Sequence, residues 1–143
     1  DLIKYVQLPI NIYDQRWKIF FSSNLKSFSK NKKFIARSIF LQGLFNKNYW
    51  PKKIRSQKKL TNNINIKLLN KLKIDNINEL MIRYVNSLKE VNYILFGVTK
   101  IHTINTNLKY LSKKKLSQDK LNIIEDSTFN VKKKFYDIIN WNN

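Results

Sequence analysis

"RSIFLQGLF" occupies positions 37–45. An apolar run opens on an Arg-Ser pair and closes on Leu-Gln-Gly, and Gly43 is one of only two glycines in the chain. Extended upstream to "FIARSIFLQGLF" (34–45), it begins with Phe34-Ile35-Ala36. A near-continuous apolar start suits a strand covered on both faces, as in a parallel sheet. The stretch therefore predicts a buried strand over 34–45. Arg37 inside it is a charge that needs a partner or a ligand.

Two further strands are predicted around it. "YVQLPINIY" (5–13) is rich in β-branched and aromatic residues and ends near Pro9, because proline cannot donate to a sheet ladder. "VNYILFGV" (91–98) is stopped by Gly97. Between the first two strands, Trp17, Phe20, Phe21, Leu25 and Phe28 fall at helical spacing. After the second comes a polar, basic loop, "NKNYWPKKIRSQKK" (46–59), then a short helix over 66–74. Ile77, Leu80, Met81, Tyr84, Val85 and Leu88 give the best helical pattern, and Asn76 with Glu79 reads as a capping box. A helix carrying Ile101, Ile104, Leu108 and Leu111 follows the third strand. "LSKKKLSQDK" reads as a solvated basic segment, and the tail from Phe129 to Trp141 as amphipathic. Strands alternating with helices argue for an α/β fold of parallel βαβ units, doubly wound or in a barrel.

At 143 residues the chain predicts one domain, and at 43% hydrophobic it can bury a core. It has no cysteine and a single histidine, which exclude disulfides, a thiolate nucleophile and a histidine-based metal site. The formal net charge is +19. That balance suits an anionic partner such as nucleic acid, but lysine outnumbers arginine and asparagine is abundant, as AT-rich codon usage produces. The lysines look scattered along the sequence, which argues against a nucleic-acid module. No segment reaches the length of a membrane span. The beginning, Asp-Leu-Ile-Lys, lacks a signal-like pattern and reads as an entry in the middle of a longer chain.

Ligands on parallel α/β sheets sit at the carboxyl ends of the strands. Three stretches lie there: Gln7 to Asn11, Arg37 to Gly43, and Gly97 to His102. Gly97 with Thr99 and Lys100 at the start of a helix suits an anion, or else Thr99 is an ordinary N-cap. Gln7 inside an apolar strand is satisfied by neighbouring strands or aimed at a ligand amide. Asp14 and Arg16 suit a local pair, and His102 reads as a solvent-exposed residue of a first helical turn. No acid/base dyad and no glycine-rich phosphate loop is present.

The segments "VQLPINIYDQR", "ARSIFLQGLF" and "NYILFGVTKIHTINTNL", in that order, resemble the last three strand regions of the aldo/keto reductases. They are most similar to a bacterial branch of predicted oxidoreductases with an RS-(I/V)-FLQGL motif, often associated with sugar or polysaccharide biosynthesis. The ending "FYDIINW" is similar to that branch's C-terminal tryptophan. The resemblance implies one partial domain over 1–143. That domain would be the C-terminal half of a (β/α)8 barrel, about strands six to eight with their helices, with about 112–143 as a C-terminal extension. The Asp, Tyr, Lys and His of the family's catalytic tetrad would lie in the first half.

The resemblance further implies a cytoplasmic, NADP-dependent oxidoreductase acting on a small-molecule carbonyl; the alternative is a non-catalytic relative that keeps the barrel as a scaffold without the tetrad. Gln7 matches the glutamine that hydrogen-bonds the nicotinamide carboxamide. Arg37 stands where many members stack an aromatic residue on the nicotinamide, and Ser38 is similar to the serine near the pyrophosphate. Leu41 and Gly43 would shape the following cofactor loop. Gly97, Thr99 and Lys100 match the loop on the adenosine phosphate side. Asn107 matches the asparagine near the adenine, although Thr106 replaces the usual Glu, and His102 and Thr103 replace a frequent Glu-Gln pair. Tyr49 and Trp50 in the long loop would line the substrate mouth or pack elsewhere.

Overall fold

The computed structural model describes residues 2–22 and 31–141, with the backbone alone at Phe20, Ser22 and Asn140. Three short strands, β1 (Tyr5–Pro9), β2 (Lys33–Arg37) and β3 (Tyr93–Ile94), form a parallel sheet in the order β1-β2-β3. The register sets Gln7 opposite Ile35 and Pro9 opposite Arg37, and Ile35 opposite Tyr93. Among the described residues six α-helices accompany the sheet: α1 (Arg16–Ser22), α2 (Lys58–Leu72), α3 (Ile77–Ser87), α4 (Ile101–Ser112), α5 (Gln118–Thr128) and α6 (Lys133–Tyr136).

Strand residues alternate between two faces. Phe34 and Ala36 are buried, and Leu8, Ile94 and Phe96 pack with them against the helical layer. The other face carries Tyr5, Gln7, Ile35 and Tyr93, and among the described residues no helix covers it. Tyr5 is 59% exposed and Tyr93 51%, their rings 6.3 Å apart across β2. Parallel sheets are normally buried on both faces. Among the described residues, this one has a bare face and two unpaired edges.

The second strand is shorter than its composition predicts. It ends at Arg37, and "SIFLQGLF" leaves the sheet as a turn followed by a 3-10 helix over Leu41–Asn46. Ser38, Leu41 and Gln42 take left-handed φ of 57°, 49° and 55°, and Gly43 takes 71°. Each non-glycine residue there costs roughly 1–2 kcal/mol. Ile39, Leu41 and Leu44 are buried in return, and each such side chain contributes about 1.5–3 kcal/mol. The apolar residues predicted a strand because they mark burial, and burial is compatible with either conformation.

Other boundaries shift for related reasons. The predicted loop over 46–59 contains a 3-10 helix (Lys52–Gln57), and α2 already starts at Lys58. The buried stripe of α2 is Thr61, Asn65, Leu68 and Leu72. Half of it is polar, so hydrophobic periodicity finds only the second half. Asn65 Oδ1 accepts from the Tyr13 hydroxyl at 2.5 Å, and Thr61 Oγ1 donates to Gln57 O at 2.9 Å. The third strand keeps two of its predicted residues. The basic segment at 111–120 buries Leu116 and starts α5 at Gln118. At the start of α3, Asn76 caps Asn78 N at 2.8 Å. Glu79 does not close the predicted box; it is buried and binds Arg83 at 3.0 Å and Lys113 at 2.7 Å. Leu25 and Phe28 of the first predicted helix lie outside the described residues.

A buried segment, Ile10 to Asp14, ties the layers together. Asn11 Oδ1 accepts from Tyr13 N and Asp14 N, while its amide nitrogen reaches Ser38 O at 3.4 Å. Asp14 and Arg16 form the expected pair, through two bonds of 2.8 and 2.6 Å. Thr128 Oγ1 donates to Ile12 O at 2.6 Å, and Gln15 Nε2 to Glu125 O at 2.7 Å, which fastens α5 to the exit of β1. Glu125 also accepts from Tyr84 and binds Lys18. The aromatic residues Tyr13, Phe45, Trp50 and Phe135 stack around one another at centroid distances of 5.0–6.2 Å. Trp50 is therefore a core residue, and Trp141 closes the tail with an indole bond to Phe135 O at 3.1 Å.

The predicted apolar stripe of α4 forms as a helix, but Ile101, Ile104 and Leu108 are exposed. With the bare sheet face, they predict that the 143 residues expressed alone bind a hydrophobic dye strongly and unfold without a sharp transition. Ile101→Glu with Leu108→Glu will lower dye binding at unchanged helicity, whereas Leu80→Glu in the core will lower helicity. A sharp transition with low dye binding would contradict the open-faced architecture.

Burial pushes the Tyr13 and Tyr84 hydroxyls well above the ordinary tyrosine range, with Glu125 adding to the effect at Tyr84. Both stay neutral in the fold, while the unfolded chain ionises them near pH ~10. Stability is thus unaffected below about pH 10 and falls as pH rises above it. In an ultraviolet titration of the seven tyrosines, these two will ionise only as the helical signal is lost.

Candidate functional site

The three strands point their carboxyl ends the same way, so the turns after β2 and β3 meet at one edge of the sheet. They enclose a cavity of about 610 Å³. One wall is the left-handed turn, with Ser38, Gln42 and Gly43, and continues to Asn46 and Lys47. The opposite wall is the stretch Leu95 to Thr99 after β3, together with Thr103 and Asn107 of α4. Asn78 of α3 completes it, with Asn46 Nδ2 3.5 Å from its Oδ1. Phe40 and Phe96 meet at 6.0 Å and give the cavity an aromatic side.

Two details of the α4 wall bear on chemistry. Asn107 is only 3% exposed, yet its Nδ2 has no hydrogen-bond partner among the described residues. A buried donor left unpaired costs on the order of 1–3 kcal/mol, and of the buried unpaired side-chain atoms among the described residues (Trp17 Nε1, Gln57 Oε1 and Asn107 Nδ2) only that of Asn107 belongs to a residue lining this cavity. Lys100 is the N-cap residue of α4, and no side chain caps the helix. The N-cap role considered for Thr99 is therefore not formed, and Thr99 lies exposed on the cavity wall. Gly97 has an ordinary φ, and nothing lies within 4 Å of where a Cβ would stand. Packing within this chain does not require glycine there.

Charge in the cavity is one-sided. Among the described lining residues Lys47 is the only cation, and no carboxylate is present. A second cavity, about 320 Å³, lies behind the turn and shares Ser38 and Gln42 with the first. It is walled by Pro9, Arg16, Arg37 and the tail from Tyr136 to Ile139. Arg16 is bound by Asp14, which holds its guanidinium above the ordinary range, and stacks 5.2 Å from the Tyr136 ring centroid.

The residues singled out from sequence thus divide. Ser38, Gly43, Gly97, Thr99 and Asn107 line the larger cavity. Leu41 is buried beneath the turn, and Lys100 is exposed beside the helix start. Arg37 faces the second cavity, exposed, with Nη1 3.3 Å from Ser38 Oγ. Gln7 is not a buried amide; it is exposed on the bare sheet face. His102 is exposed in the first turn of α4, as expected. Sequence reading missed Asn46, Lys47 and Asn78; Gln42 lay within an inspected stretch, and Thr103 was noted only as a departure from the family's pattern. Lys47 and Asn46 fell inside an assumed loop, and Asn78 reaches the cavity only through helix packing. Among the described residues, no His/Cys/Asp/Glu cluster suits a metal ion, and no helix is long and apolar enough to cross a membrane.

No curated protein matches the chain. Among solved structures, it is similar to the aldo-keto reductase AKR11C1 from Bacillus halodurans in its holo form, with a TM-score of 0.67 at 17% sequence identity. That similarity covers 89% of this chain and 43% of the other, so the chain spans less than half the length of that protein. It shows a common fold. The pattern of the aldo/keto reductase family matches residues 3–128, which takes in all three strands, the cavity and α5. The chain belongs to the aldo/keto reductase family.

Proposed function

We propose that this chain is the C-terminal part of an NADP-dependent aldo/keto reductase, about strands six to eight of a (β/α)8 barrel. In this reading it supplies one wall of the cofactor cleft for reduction of a small-molecule carbonyl, in sugar or polysaccharide metabolism. The bare sheet face is then barrel interior. The two open edges receive the strands before β1 and the first strand beyond β3, and residues from about 112 onward are an extension beyond the barrel. The tetrad residues belong to the preceding part of the barrel.

The observation that carries the reading is the unpaired Asn107 amide buried in the wall of a cavity of about 610 Å³. Pockets for ligands of this class run about 300–1,000 Å³. Asn107 offers a donor to the edge of a purine base. Lys47 and the uncapped start of α4 favour phosphate oxygens. NAD sites commonly hold the ribose 2′-hydroxyl with a carboxylate. The lack of one among the described lining residues supports the phosphorylated cofactor. Ser38, Leu41 and Gly43 hold the turn that closes the cleft, and Gly97, Thr99 and Lys100 approach from the α4 side. Gln7 and Arg37, at or beside the barrel interior, are left for the nicotinamide end. The chemistry such a cofactor brings is hydride transfer at its nicotinamide.

The test is NADPH affinity of the intact protein containing this chain. Asn107→Ala will weaken binding about 5- to 150-fold, the loss of about 1–3 kcal/mol. Lys47→Ala will weaken NADPH more than NADH. Unchanged affinity in both variants would remove the cavity from the cofactor site.

A further inference from the structure

Charge in this chain is segregated as well as abundant. Between Asp14 and Asp75 stand sixteen Lys and Arg and not one Asp or Glu. A codon bias that enriches lysine does not by itself strip carboxylates from so long a stretch. The fold then adds a second basic run to the first. The short helix α6 packs on the 3-10 helix Lys52–Gln57, with Phe135 buried 5.9 Å from Trp50. The elements that carry Lys133 and Lys134, preceded by Lys132, and Lys52, Lys53 and Arg55 therefore adjoin, and all six residues are exposed. None of them makes an ion pair among the described residues. The two runs are about eighty positions apart in sequence, which is why the lysines look scattered when read along the chain.

Cations on two adjoining short elements lie within about a Debye length, ~8 Å at physiological salt, so they repel one another appreciably. Such a surface favours a partner with repeated negative charges. The same surface carries Tyr49, 67% exposed, with the Arg55 guanidinium 5.1 Å from its ring centroid. An accessible aromatic ring backed by arginine, within a field of lysines, is the arrangement on which unpaired bases stack while phosphates are neutralised. A membrane surface fits less well. Interfacial binding draws on large apolar groups, and here Trp50 and Phe135 are buried. We propose that the surface formed by 49–55 and 132–134 binds single-stranded nucleic acid, separately from the cavity at the sheet edge.

The experiment measures fluorescence anisotropy of a labelled single-stranded oligothymidylate titrated with the intact protein containing this chain. For about five phosphate contacts, affinity will fall roughly a hundredfold between 50 and 200 mM salt. Lys132→Glu, Lys133→Glu and Lys134→Glu together will weaken binding more than tenfold. The same charge change spread over three helices, Lys67→Glu, Lys109→Glu and Lys120→Glu, will weaken it less than threefold, with helicity checked by circular dichroism in both. Tyr49→Ala will lower affinity for the oligonucleotide about fivefold or more and leave inorganic polyphosphate binding unchanged. Equal losses in the two triple variants would overturn the proposal, as would tighter binding of phosphatidylserine vesicles than of the oligonucleotide at the same salt. An oligonucleotide affinity indifferent to Tyr49 would overturn it too.

Discussion

The ladder of β2 is shared between two parallel neighbours, and every other feature of the chain is arranged around it. Parallel pairing forces each connection to cross back over the sheet, and the crossovers put helices on a face. Here they cover the side that carries Phe34 and Ala36. The same pairing fixes where chemistry can happen. All three strands point their carboxyl ends at one rim, so the turn after β2 and the stretch after β3 face each other across a gap. The cavity follows from the direction of the strands before any side chain is considered.

The turn after Arg37 shows how that rim is shaped. Three non-glycine residues and Gly43 occupy left-handed backbone within six positions. Such a conformation persists only where its surroundings over-determine it. The anchors are Ile39, Leu41 and Leu44 below, and the Asn11 amide reaching Ser38 O from the exit of β1. The result is a thin partition with a cavity on each side, held by core packing beneath it and by few contacts above. A partition of this kind can present backbone and small side chains to a ligand without moving.

Much of this was legible in the sequence. The three strand regions, their parallel order, the Asp14–Arg16 pair and the helix after Gly97 all follow from period and turn chemistry. What failed did so for identifiable reasons. "RSIFLQGLF" is apolar because it is buried, and periodicity alone does not separate a buried strand from a buried turn. The first half of α2 was hidden because its inward residues are polar: the Thr61 hydroxyl is satisfied locally by Gln57 O, and the Asn65 side chain by the distant Tyr13 hydroxyl. Glu79 matched a capping box in spacing but is drawn away by Lys113, 34 residues on. At the site, the glycines and Asn107 stood out by type. Lys47 and Asn78 became visible only when separate elements were packed together.

The central claim is that the rim cavity is the adenosine end of a dinucleotide site, complete within this chain, while the nicotinamide end needs the remainder of a barrel. Nuclear magnetic resonance of the intact protein containing this chain, isotope-labelled, tests it directly, with adenosine 2′,5′-bisphosphate and nicotinamide mononucleotide titrated separately. The account predicts saturable shifts at Thr99, Thr103 and Asn107 with the first ligand and none at these three residues with the second. An adenosine ligand that leaves these three residues unmoved, or moves only residues on the bare sheet face, would contradict it.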